Sequence, residues 1–171
     1  MEHLNFYYGD NKKKQVIIGN RNITETIAKA KIQTNEIKAM KSKVDDVRMQ
    51  MNIGEIGETA DKIINTIEGN PKKIKRVESF FDYYLPSTIN ILKRYDEIEN
   101  QRLISSDSKK FMEHAQKLIE EVEKAFKSQL ASMYQNDIVD TDAEMKVLDM
   151  MLKSEGLGTS GIETKDNPKE E

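Results

Sequence analysis

The chain has 171 residues, a third of them charged and 37% hydrophobic, with a formal net charge of -3 and no cysteine. That length suits one domain with tails, and the hydrophobic fraction is too high for a wholly disordered chain. The balanced charge offers no overall reason to bind nucleic acid, and the lack of cysteine excludes disulfides, thiolate zinc sites and cysteine nucleophiles.

Met1-Glu2-His3 is acidic and has no apolar core behind it, unlike a signal peptide. The uncharged run Tyr83–Leu92 is roughly half of what a bilayer span needs. The chain is therefore expected not to cross a membrane. A cytoplasmic place is expected, with peripheral attachment at the membrane as the alternative.

Residues 1–21 differ from the rest. Leu4, Phe6 and Tyr8 alternate, Gly9-Asp10-Asn11 offers a turn, and Gln15-Val16-Ile17-Ile18 leads to Gly19. Two short β-like runs predict a hairpin, and because an isolated hairpin is only marginally stable, a flexible arm is the equal alternative.

From Asn22 the period becomes helical. Ile37, Met40, Val44, Val47 and Met51 advance by three and four residues, and Asn22-Ile23-Thr24-Glu25 supplies a cap with an acidic first turn. One long helix is expected, interrupted or bent at Gly54 and Gly57, with the stripe resuming through Ile56, Ala60, Ile63, Ile64 and Ile67. Gly69-Asn70-Pro71 predicts a tight turn: Gly69 in the left-handed position, Asn70 as cap, Pro71 in the next first turn.

The following helix carries Val77, Phe80, Phe81, Tyr84 and Leu85, then Ile89, Leu92, Tyr95 and Ile98. Pro86 lies inside it, with no N–H for the Asp82 carbonyl, and predicts a kink or short break. After Ser105-Ser106-Asp107-Ser108, the residues Phe111, Ala115, Leu118, Val122, Ala125, Gln129 and Met133 form the most regular stripe. Thr141-Asp142-Ala143-Glu144 matches a capping box and predicts a separate short helix ending near Gly156. Residues 157–171 are polar and charged and are expected to form a disordered tail.

Phe80-Phe81-Asp82-Tyr83-Tyr84-Leu85-Pro86-Ser87-Thr88, with Tyr95-Asp96-Glu97 after it, resembles the XpaC family, named for 5-bromo-4-chloroindolyl phosphate hydrolysis. Asp142–Met151, followed by Gly156-Leu157, is similar to that family's closing segment. The resemblance runs over roughly residues 35–157. It implies a bacterial, mainly helical protein whose name records a phenotype towards a chromogenic phosphate ester. It also implies an association with toxic-anion-resistance proteins of the TelA family. Many similar proteins carry N-terminal membrane spans, a pattern from which this sequence departs. The resemblance supplies no catalytic residue.

Phosphate-ester hydrolysis needs a nucleophile or an activated water, and cations for the phosphoryl oxygens. Asp140-Thr141-Asp142 superficially matches an aspartate-nucleophile motif, but no strand precedes it and capping explains the same residues. His114 has no second ligand at metal spacing and His3 has no partner, so neither a metal nor a cofactor is expected. Lys72, Lys73, Lys75 and Arg76 crowd a helix start, where free N–H groups and four cations would suit a phosphate or an acidic partner. A solvated face is the plainer reading of them, as it is of Lys12-Lys13-Lys14. The aromatics Phe80, Phe81, Tyr83, Tyr84 and Tyr95 read as core, with the tyrosine hydroxyls expected to bond carbonyls freed at Pro86.

The expected fold is all-α: an elongated antiparallel helical bundle over residues 22–156 with a proline-kinked central helix. The expected role is that of a non-enzymatic interaction or adaptor protein, with a protein partner of the TelA-like type or a homo-oligomer. Phosphate-ester hydrolysis is one alternative. Peripheral binding to anionic lipid or nucleic acid through the basic helix start is the other.

Overall fold

The structure, a computed structural model, describes residues 15–157. The turn expected at residues 9–11, and residues 158–171 of the tail expected at 157–171, lie outside the described residues. The described chain is helical apart from one short β pair.

β1, Ile17–Ile18, pairs antiparallel with β2, Arg21–Asn22, in the register Ile17 to Asn22 and Ile18 to Arg21. Gly19 turns the chain at φ +60°, where a Cβ would be strained. α1, Ile23–Met40, begins directly afterwards. Asn22 is its cap, accepting from the Glu25 N–H at 3.1 Å, as the sequence leads one to expect.

The long first helix ends earlier than expected. The break falls at residues 41–46, and a new helix, α2, spans Val47–Gly69. Asp46 starts it by accepting the Met49 N–H at 2.7 Å. Gly54 and Gly57 are interior helical positions that let a second helix approach closely. A Cβ on Gly57 would sit 2.8 Å from Lys38 Cγ, and one on Gly54 would sit 3.3 Å from Lys41 Nζ. The turn also resets the helical phase. Val47 and Met51 are exposed, while Met49, Ile53, Ile56, Ala60, Ile63, Ile64 and Ile67 form the buried stripe.

At Gly69-Asn70-Pro71 the chain does turn, by other means than expected. Gly69 stays within α2, and neither it nor Asn70 adopts a positive φ. Pro71–Arg76 is a 3₁₀ helix rather than the first turn of an α-helix, and Asn70 contributes its carbonyl, not its side chain, accepting from Lys73 N–H at 3.1 Å. Ile74 and Val77 anchor this stretch in the core.

Pro86 is accommodated by a π-helical turn over Phe80–Tyr84, which widens the backbone just before α3, Leu85–Gln101. The Leu85 N–H reaches back to the Phe80 carbonyl, and Pro86 then occupies the first turn of α3, where its missing N–H does no harm. The Thr88 hydroxyl donates to the Tyr84 carbonyl one turn back, at 2.6 Å. Tyr95, one of the tyrosines expected to bond a carbonyl freed at Pro86, instead bonds the Gln116 side chain at 2.8 Å. Arg102, at φ 48°, closes α3.

α4 spans Ser106–Ser154. Its start is the true capping box: Ser108 N–H donates to Ser105 Oγ at 3.0 Å, and Ser105 N–H to Ser108 Oγ at 3.2 Å. The box expected at Thr141–Glu144 is interior helix instead. No glycine or proline interrupts residues 107–155, so continuing the ladder satisfies every backbone group that a new cap would have to release. The helix ends in a Schellman arrangement: Gly156 at φ +75°, with Leu157 N–H on the Leu152 carbonyl at 2.8 Å.

The described chain falls into two compact units, the first ending at Met133 and the second beginning at Tyr134. In the first unit α1 packs against α2 and α3. Ion pairs set the directions. Lys31 meets Glu68 and Lys38 meets Asp61, so α1 and α2 are antiparallel. Lys93 meets Glu36 at 2.7 Å, and Glu99 accepts the Asp45 N–H at 2.8 Å, so α1 and α3 run in the same sense. The core collects apolar side chains from all four helices, including Ile37, Ile56, Ile63, Phe80, Leu92 and Phe126.

Candidate functional site

The π turn divides the aromatic segment by side. Phe80, Phe81, Leu85 and Tyr95 are buried, Tyr84 and Pro86 are half-buried, and Tyr83 is 68% exposed. Phe80 is the hinge of the packing. Its ring meets Phe81 edge-on at 4.9 Å and Phe126 at 5.0 Å, both arrangements in which a ring edge addresses a ring face. Tyr83 and Tyr84 form a further edge-on pair at 6.3 Å, Tyr84 being packed against the core.

Tyr95 is fully buried, and its hydroxyl accepts from Gln116 Nε2 at 2.8 Å, joining α3 to α4. Burial pushes the phenol up to about 12 from its ordinary 10, against the opposing pull of the Gln116 hydrogen bond. The folded state therefore holds this proton through a pH range in which the unfolded chain releases it. Stability from Tyr95 is complete below about pH 10 and is lost as pH rises towards 12, at about 1.4 kcal/mol per pH unit. Tyr95→Phe is expected to flatten that alkaline slope while costing about 1 kcal/mol at neutral pH for the lost hydrogen bond. Urea unfolding of both proteins across the alkaline range checks this; parallel slopes would contradict it.

Asp82 and Arg21 form a two-pronged ion pair across 61 positions of sequence. Arg21 Nη1 donates to Oδ1 at 2.8 Å and Nη2 donates to Oδ2. The Arg21 hydrogen bond holds the Asp82 carboxyl below the ordinary carboxylate range, despite a smaller opposing effect of burial. The pair ties the β turn to the π turn. A groove of 230 Å³ lies beside it, lined by Arg21, Thr26, Lys29, Gln33, Asp82 and Pro86. This groove carries two cations, one carboxylate and no histidine or nucleophilic elbow. It can hold a small polar group, but Asp82 is committed to Arg21 as an ion-pair partner.

The basic residues are not where an α-helix would focus its N–H groups. Lys72, Lys75 and Arg76 are exposed and Lys73 is half-buried, all on the 3₁₀ helix. Six residues of 3₁₀ helix supply little aligned dipole, so the anion-binding argument from a helix start loses its backbone half. Asp140 and Asp142 are exposed on α4, where Asp142 pairs with Lys146 at 2.7 Å. His114 is exposed as well. Among the described residues no three His, Cys, Asp or Glu side chains gather as a metal site, and no helix is long and apolar enough to cross a membrane.

The second unit presents a different surface. Ile138, Met145, Leu148, Met150 and Met151 are each more than half exposed. The sequence places Met145, Leu148 and Met151 on a helix, but periodicity reports a stripe and not what covers it.

The family described as 5-bromo-4-chloroindolyl phosphate hydrolysis protein matches residues 9–148, most of the chain, including the whole Phe80–Thr88 segment. No curated protein matches the chain, and no solved structure does.

Proposed function

The chain belongs to this 5-bromo-4-chloroindolyl phosphate hydrolysis protein (XpaC) family, and we propose that it serves as a helical interaction protein rather than as a phosphatase. The observation that carries this reading is the second unit's apolar exposure. Ile138 is 66% exposed, Met145 58%, Leu148 56% and Met150 63%. Large apolar side chains concentrated on one exposed helix mark an association surface, and methionine, unbranched and polarizable, adapts to varied partners. Val139, Val147 and Met150 lie on the side of the helix opposite Ile138 and Leu148, as a helix to be enclosed by a partner requires.

The family signature supports the same reading from the other direction. Phe80, Phe81, Leu85 and Tyr95 are core, and Asp82 is bound to Arg21, so the segment most characteristic of the family acts in packing. The partner proposed is a toxic-anion-resistance protein of the TelA-like type, met in the cytoplasm. Two measurements on the full chain test the reading. Purified protein is expected to release no product from 5-bromo-4-chloroindolyl phosphate above a protein-free blank. Release that disappears in Asp142→Ala or Lys73→Ala would establish hydrolysis instead. Affinity purification from the native bacterium is expected to recover a defined protein partner, and recovery of none would remove the adaptor role.

A further inference from the structure

The geometry points to a lipid-docking tip on the first unit, distinct from the association surface proposed above: Leu103 and Ile104 enter an anionic lipid surface while the lysines and arginines around them meet its headgroups. The Asp45 N–H donates to Glu99 at 2.8 Å, so the turn at residues 41–46 and the turn at residues 102–105 lie side by side. Ile104, in the second of them, is fully exposed. Leu103 is 57% exposed, and Val47, just past the first turn, 67%. Single apolar residues on a surface need no explanation, but three at one end of a bundle, two of them adjacent on a turn, form a patch.

The tip is held in place. Arg102 turns the chain at φ 48°, the Ser108 hydroxyl donates to the Leu103 carbonyl at 3.0 Å, and the Ser105 N–H donates to Ser108 Oγ at 3.2 Å. Ser108 thus satisfies backbone groups on either side of Ile104, which lowers the cost of taking that residue out of water. A hollow of 440 Å³ beside it has Ile98, Leu103, Ile104 and Met112 in its lining, together with Arg102 and Lys109.

Charge selects the occupant. Residues 41–48 and 99–110 hold six cations, Lys41, Lys43, Arg48, Arg102, Lys109 and Lys110. Against them stand four carboxylates, Asp45, Asp46, Glu99 and Asp107, which leaves a net of +2 in a chain of net charge -3. All six cations are exposed, and none has an ion-pair or side-chain hydrogen-bond partner among the described residues. Two of the carboxylates are occupied, Asp46 by the Met49 N–H and Glu99 by the Asp45 N–H. An anionic bilayer answers both features at once. Its headgroups attract lysine and arginine, and its fluid interior accepts Ile104 without a pocket shaped to fit. A nucleic acid answers the cations alone and leaves Leu103 and Ile104 in water. A second copy brings like charge against like. Lys72, Lys75 and Arg76, past the far end of α2, are also cationic, but the isoleucine among them, Ile74, is buried in the core.

The test uses the full chain with vesicles of phosphatidylcholine, alone or mixed with phosphatidylglycerol, read by co-sedimentation. Binding to the mixed vesicles is expected to be at least about tenfold tighter than to the neutral ones and to weaken as salt is added. Leu103→Ser with Ile104→Ser is expected to weaken it at least about tenfold, while circular dichroism and melting stay those of the parent because both side chains are exposed. Lys109→Gln with Lys110→Gln is expected to weaken it at least about fivefold, and Lys72→Gln with Lys75→Gln to leave it within about twofold of the parent. The chain has no tryptophan, so Ile104→Trp supplies a single reporter. Its emission is expected to shift to the blue, and to be quenched by brominated acyl chains, on the mixed vesicles. Absence of binding to the mixed vesicles overturns the proposal. So does binding indifferent to the Ser pair, or a bound Ile104→Trp variant whose emission does not change. Binding lost instead with Lys72→Gln and Lys75→Gln, or with Ile138→Gln and Leu148→Gln, puts the contact elsewhere and overturns it as well.

Discussion

Phe80→Ala is expected to destabilise the first unit by about 3–5 kcal/mol, the range for deleting a fully buried phenyl ring. Three things meet at Phe80. Its ring is wholly buried. It makes edge-on contacts with both Phe81 and Phe126. Its carbonyl accepts the Leu85 N–H that closes the π turn. Because the π turn and α4 hold their positions through other contacts, the space left by the ring cannot collapse fully, and the cavity adds to the lost burial. The urea midpoint of the variant should fall at unchanged slope. Tyr83→Ala, three positions on but mostly exposed, should stay within about 0.5 kcal/mol of the parent. Phe80→Ala combined with Phe126→Ala should cost less than the two single changes added, by about 0.5–1.5 kcal/mol, since both remove the same ring contact. A loss under about 1 kcal/mol for Phe80→Ala would mean that the aromatic segment is not the centre of the packing.

The two glycines of α2 are expected to respond with opposite signs. At Gly54 a new Cβ meets the terminal atoms of Lys41, which swing aside at little cost. Gly54→Ala should therefore show the helix-propensity gain of up to about 1 kcal/mol. At Gly57 the nearest atom is Lys38 Cγ at 2.8 Å, close to the α1 backbone and unable to move without shifting its own helix. Gly57→Val should cost about 1–3 kcal/mol through overpacking between α1 and α2. Thermal melts of the two variants beside the parent decide this. A stabilised Gly57→Val would show that α1 and α2 are not held at the spacing described.

The signals that were legible in the sequence share a local cause. Asn22 capping α1, the stripe from Ile56 to Ile67 and the interruption at Pro86 each depend on residues within one or two turns of each other. So does the end of α4 at Gly156. Their physics, a side chain reaching a nearby N–H or a missing donor at a fixed offset, is written in spacing. Helical content and the all-α class follow from the same short-range terms, and so does the family signature, which is itself one continuous segment.

What escaped was settled by contacts across the fold. Nothing near Gly54 or Gly57 in sequence reveals that Lys38 and Lys41 close over them, so two packing glycines read as an interruption or a bend. Arg21 and Asp82 carry no mutual signal because 61 positions separate them. At Thr141 the sequence offers a valid cap, and the uninterrupted ladder of α4 overrides it because starting a new helix would release backbone bonds already made. The basic cluster at residues 72–76 promised a helix dipole that the 3₁₀ backbone does not supply.

For function the division is the same. By itself the sequence determined that this protein is helical, carries the XpaC signature and repeats apolar residues along its last helix. Only the tertiary structure decided which apolar stripes are covered. Burial is a property of neighbours, and a periodic pattern is identical whether the fold covers it, as for Ile119 and Phe126, or leaves it exposed, as for Ile138 and Leu148.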